Sequence, residues 1–171
     1  MIQFTREIIP VHTTASGARY EIDVFRYEPP QSQQTVYLQG GLHGIELTGI
    51  PVLHEFMQQI EQAQLPQRII CVPQSNPMGL DSQIMGVQTG YNNIHTNQQN
   101  CWNWNRIGQL RDEESQEGRW IDLLLTLAEP ADIVLDLHTA GLEMAPHVYV
   151  HSTQVEHAQG LGIPHILAWE Q

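Results

Sequence analysis

Lysine is absent from this 171-residue chain: all seven basic side chains are arginines, set against nineteen acidic ones. No residue can therefore act as a Schiff-base former, a P-loop lysine or a kinase lysine. The formal charge of −12 repels phosphate backbones and anionic lipid, which removes nucleic acid from the expected partners. Cysteine is almost as scarce. Cys71 and Cys101 have no CxxC spacing and are too few for a disulfide framework, so Cys71 reads as core and Cys101 stays open. No apolar run approaches the ~20 residues that span a bilayer. The stretch from Met1 to Thr14, with Arg6, Glu7 and His12, has no signal-peptide core. These absences predict a cytoplasmic protein with no membrane partner.

What is present is an ordinary globular composition, 41% apolar, at a length that suits one domain over residues 1–171. Tyr20 to Arg26 alternates with period two, as a half-exposed strand does. Thr35 to Gln39 reads as a short buried strand halted by Gly40-Gly41. Ile50, Leu53, Met57 and Ile60 recur at helical spacing, with Thr48 as the expected N-cap and Pro51 tolerated in the first turn. Arg68 to Val72 and Ile133 to Leu137 are further buried strands, the second preceded by a helix from about Glu117 to Ala128. His147 to His151 is read as another strand, Thr153 to Gly160 as a short helix, and Ile166 to Trp169 as a final strand. This alternation predicts an α/β fold, a three-layer α/β/α arrangement around a mainly parallel or mixed sheet, with ligands bound outside the carboxyl ends of the strands. Asn76 to Arg106, rich in Asn, Gln and Gly without a sustained period, is either a functional loop or a low-complexity tract.

Chemistry concentrates at those carboxyl ends. His43-Gly44-Ile45-Glu46 places an imidazole and a carboxylate three residues apart directly behind Gly40-Gly41, and Asp136-Leu137-His138 closes another apolar strand. Two imidazoles and a carboxylate are suitable ligands for a catalytic zinc, which takes three protein groups and leaves a position open. The residues also admit a blander reading, in which His43 is a loop histidine and Glu46 a first-turn carboxylate favoured by the helix dipole. Trp102 and Trp104 either line a ligand groove or cap the core. His147 and His151 share a strand face and read as a polar edge rather than a second metal site, and His54 reads as a helix-surface histidine.

The ordered motifs Gly40-Gly41-Leu42-His43-Gly44-Ile45-Glu46, Asn76-Pro77, Asn105-Arg106 and Asp136-Leu137-His138-Thr139 resemble the zinc carboxypeptidase superfamily, in its succinylglutamate desuccinylase/aspartoacylase branch, from about Val36 to Trp169. The resemblance implies a zinc-carboxypeptidase-like fold, zinc as cofactor, His43, Glu46 and His138 as its ligands, and Asn105 and Arg106 as binders of a substrate carboxylate. Three departures accompany it. The chain has Asn103-Trp104-Asn105-Arg106-Ile107-Gly108 where the family has an aspartate two residues before the Asn-Arg pair and Phe-Pro after it. Ser82 to Gln99 contains no arginine, and Tyr91 lies near the place where many relatives carry one. The family's general-base glutamate falls beyond the equivalent of Trp169, and neither Glu143 nor Glu170 follows its pattern, so no base is assigned.

The chain is thus expected to be a domain lacking the family's last strands. Its expected activity is zinc-dependent hydrolysis of an amide bond in an N-acyl amino acid or short peptide. The competing expectation is a non-catalytic zinc- or carboxylate-binding relative that needs a partner segment. The expected partners are a small carboxylate or N-acyl amino acid, together with a second copy or a downstream segment covering the sheet edge.

Overall fold

The computed structural model describes residues 1–81, 83–84, 87–88, 116–139 and 143–170. The chain divides into two compact units, Met1–Thr139 and Ala140–Gln171.

In the first unit, β1 (Thr5–Thr13), β2 (Arg19–Tyr27), β3 (Thr35–Gly40), β4 (Arg68–Val72) and β7 (Ile133–Leu137) form a five-stranded sheet in the order β1-β2-β4-β3-β7. A two-stranded β5 (Gln83–Ile84) and β6 (Val87–Gln88) ladder lies between β4 and β7 in sequence. The central ladders β4–β3 and β3–β7 are parallel, whereas β1–β2 and β2–β4 are antiparallel, so the sheet is mixed. Helix α1 (Gly49–Ala63) connects β3 to β4, a short α2 (Pro77–Asp81) follows β4, and α3 (Gln116–Ala128) precedes β7.

The side-chain period of a strand explains the three layers. On β3 and β4, Tyr37, Ile70 and Val72 point to one face and pack with Trp120, Ile121, Leu124 and Leu127 of α3. Leu38, Ile69 and Cys71 point to the other and pack with Leu53, Met57 and Ile60 of α1. A strand buried on both faces reads as a continuous apolar run, which is why Ile69-Ile70-Cys71-Val72 shows no alternation. Each fully buried aliphatic side chain contributes roughly 1.5–3 kcal/mol. Burial also pushes the Cys71 thiol up to about 12, so it is an inert core residue.

Three expectations are corrected. Strand β1 was not anticipated, because Thr5–Thr13 is largely exposed, carries Pro10 and has a register irregularity between Pro10 and His12. Such features suit an edge strand, and they blur the period-two signal. β7 is not a buried strand. Among the described residues it is the last strand of this sheet, its residues alternate between half-buried and exposed, and Val134 is open to solvent. Finally, Thr48 occupies the N-cap position with helical backbone angles and no side-chain cap bond.

In the second unit, β8 (His147–His151) and β9 (His165–Trp169) pair in parallel, His147 opposite His165 and His151 opposite Trp169, through a 3₁₀ turn (Ser152–Gln154) and α4 (Val155–Gln159). No described helix is long and apolar enough to cross a membrane.

Candidate metal centre

Parallel pairing of β3 with β7, Gly40 opposite Leu137, brings the two strands' carboxyl ends side by side. The residues that follow them in sequence, His43 and His138, therefore meet although far apart along the chain. Their rings lie 4.9 Å apart between centroids. Gly41 makes the approach possible: its φ of +64° turns the chain sharply off β3 into the loop, a conformation that a side chain disfavours. Gly44 is required for a different reason, since a Cβ there would sit 2.1 Å from the backbone oxygen of Gly79.

Glu46 is the hub. Its backbone N–H donates to the His43 carbonyl at 3.0 Å, closing the turn that places both side chains on one side. One carboxylate oxygen accepts from His43 Nδ1 at 2.8 Å. The other accepts from His138 Nδ1 at 2.9 Å and from the Thr139 backbone N–H at 2.9 Å. His43 and Glu46 are buried, at 5% and 7% exposure. His138 is more open, and its Nε2 faces Asp136 Oδ2 at 2.8 Å. Both ring nitrogens thus face carboxylates. The pKa of His138 is accordingly raised, first by the hydrogen bond to Asp136, with Glu46 adding and partial burial opposing.

Donor atoms of His43, Glu46 and His138 all lie within 4.8 Å of one another, the one such group among the described residues. Two imidazole nitrogens and a carboxylate oxygen, held between the ends of adjacent strands, fit a divalent cation of the zinc class. The Thr139 hydroxyl beside them is buried without a hydrogen-bond partner among the described residues. Asp136 stands where an orienting carboxylate stands behind a ligating histidine, fixing the ring so that Nδ1 faces the centre. The sequence signal for Asp136 is its position two residues before a strand-end histidine, on the same side of the strand.

The other expected site residues fare differently. Asn105 and Arg106, with Tyr91, Cys101, Trp102 and Trp104, lie outside the described residues. His147 packs edge-on to Tyr149, and His151 to Trp169. His54 is exposed on α1, as expected, with its ring against Phe25.

The layered sheet with polar groups at its carboxyl edge defines an α/β fold of the metallocarboxypeptidase kind. A metallo-carboxypeptidase from Pseudomonas aeruginosa shares it at 18% identity and a TM-score of 0.56, over 90% of this chain and 41% of that one. Much greater likeness is found to a succinylglutamate desuccinylase/aspartoacylase family protein of Shewanella amazonensis, at 25% identity and a TM-score of 0.83, over 96% of this chain and 54% of that one. A protein of Shewanella frigidimarina described in the same terms gives 24% identity and a TM-score of 0.84, over 98% and 54%. The pattern of the succinylglutamate desuccinylase/aspartoacylase catalytic domain matches residues 32–169, and the chain belongs to that family. No curated protein matches it. The chain spans about half the length of the Shewanella proteins.

Proposed function

We propose that the chain carries the zinc centre of an amide hydrolase that releases the acyl group of an N-acyl amino acid, or the end residue of a short peptide. The observation that supports this most is the convergence of His43, Glu46 and His138 at the carboxyl edge of the sheet. Bound there, zinc supplies a Lewis acid for a scissile carbonyl and a water whose pKa falls to about 7. The chain's own groups do the rest of the positioning. Asp136 holds the His138 ring, and Glu46 lies between the two imidazoles. Arg106, with Asn105, takes the substrate carboxylate through its planar fork, which orients the amide over the centre. A general base is not assigned to any residue of this chain.

That the chain spans 54% of its Shewanella relatives favours a second reading, a binding domain whose turnover depends on a second polypeptide segment or another copy packed on the sheet edge at β7. Either reading suits a cytoplasmic protein.

Zinc content and turnover test both. The purified chain should hold close to one zinc, lost in His43→Ala and His138→Ala while circular dichroism stays native. Unchanged zinc in those variants would sink the metal assignment. N-acetyl, N-succinyl and N-formyl amino acids then separate the readings. Robust turnover by the chain alone, abolished in Glu170→Gln or Glu143→Gln, would identify an internal base, whereas turnover only with an added downstream segment supports the binding-domain reading. Arg106→Lys should weaken binding of a carboxylate ligand, because lysine keeps the charge without the fork. Equal affinity by calorimetry would remove Arg106 from the site.

A further inference from the structure

We infer that Asn76 is a positioning residue for the metal centre, through a buried carboxamide clasp that decides where His43 stands. Asn76 and Ser75 are completely buried, which for two polar side chains demands that each polar atom be satisfied. The carboxamide Nδ2 donates to the Leu42 carbonyl at 2.9 Å, one residue before His43, and Oδ1 accepts from the Gly79 backbone N–H at 2.8 Å. One planar group thereby joins the loop after β3 to α2. Ser75 extends the tie, since its N–H and hydroxyl both donate to the Gly40 carbonyl, at 3.0 and 2.9 Å. The Leu42 side chain is sunk in the core beside Met78 and Trp120, so the loop is gripped at both its backbone and its side chain.

The fit leaves no slack. A Cβ on Gly79 would lie 2.6 Å from Asn76 Nδ2, and one on Gly44 would strike the Gly79 carbonyl. The loop carrying His43 therefore rests directly on the backbone of α2, and the carboxamide sets the spacing. Asparagine alone among residues of its size offers a donor and an acceptor at this separation. An aspartate keeps the acceptor for Gly79 and turns an oxygen toward the Leu42 carbonyl, which pushes the loop away.

The inference rests on the proposed metal reading for one of its two readouts only. In the full-length chain, zinc affinity by chelator competition should weaken ~10–100-fold in Asn76→Asp and Asn76→Ala. Gly79→Ala, which crowds the clasp without removing it, should weaken it less. The control is Leu127→Ala, which destabilises α3 in the core and leaves the clasp intact, and its zinc affinity should be unchanged. The second readout needs no metal: nuclear Overhauser contacts between the His43 and His138 rings should be present in the metal-free wild type and in Leu127→Ala, and lost in both Asn76 variants. Folded Asn76 variants that keep the ring contacts and a wild-type zinc affinity would overturn the inference while leaving the metal reading intact. A wild type that binds no zinc would overturn the metal reading, and the ring contacts would still decide the clasp.

Discussion

The two histidines of the centre are held by opposite means. His43 sits in a sealed loop behind β3, fixed by backbone hydrogen bonds, two obligatory close approaches and a buried carboxamide. His138 stands at the end of the edge strand β7, about a third exposed, and is fixed by carboxylates on both ring nitrogens. Packing positions the first and electrostatics the second. The His43 side of the site should therefore respond to changes of volume, and the His138 side to changes of charge and pH.

The largest expected effect is on the packed side. Gly44→Ala forces a methyl group into the Gly79 carbonyl, and since neither partner is a flexible side chain, the backbone must move. A loss of about 3 kcal/mol in denaturant unfolding is expected, with loss of zinc. A near-wild-type midpoint would show that the loop is softer than its contacts imply.

On the charged side, Asp136→Asn should lower the His138 pKa, read by NMR titration of the metal-free chain, and reduce zinc affinity about 10-fold above neutral pH. The sign follows from the raised value in the wild type. The His138 pairing adds stability that is fully present below the unfolded imidazole value and is lost as pH rises through the higher folded one. Zinc uptake runs the other way and improves over the same window, as Nδ1 sheds its proton. An unshifted titration in Asp136→Asn would assign the raised pKa to Glu46 instead.

Smaller again is Trp120→Phe. It leaves the Ser75 carbonyl without its indole donor at 2.9 Å and should cost about 1–3 kcal/mol. The smallest effect belongs to Thr48→Ala, expected within about 0.5 kcal/mol because its hydroxyl caps nothing. A loss above 1 kcal/mol there would restore the capping role.

Much of the architecture was legible in the residues. Ile69 to Val72 and Ile133 to Leu137 are apolar runs of strand length, and Leu53, Met57 and Ile60 mark one face of α1, because burial imposes these periods locally. Edge strand β1 escaped for the same physical reason: it buries less, so its sequence carries less of the pattern, whereas β7 was legible as a strand and only its burial was overestimated. The mixed character of the sheet was likewise open in the sequence, since the partner and direction of β2 depend on a strand more than forty residues away.

For the site, sequence alone marked the candidate group of His43, Glu46 and His138 and its placement after strand ends, because a histidine and a glutamate three apart behind a double glycine need only a local turn to converge. Sequence also showed that none of these 171 residues is a lysine. Only the tertiary structure decided that β3 and β7 are neighbours in parallel, which brings His138 to Glu46 and His43. It alone placed Asn76 and Gly79 beneath the His43 loop. Those relations hold between residues dozens of positions apart, and they arise from sheet register and close packing, which no local pattern of side chains encodes.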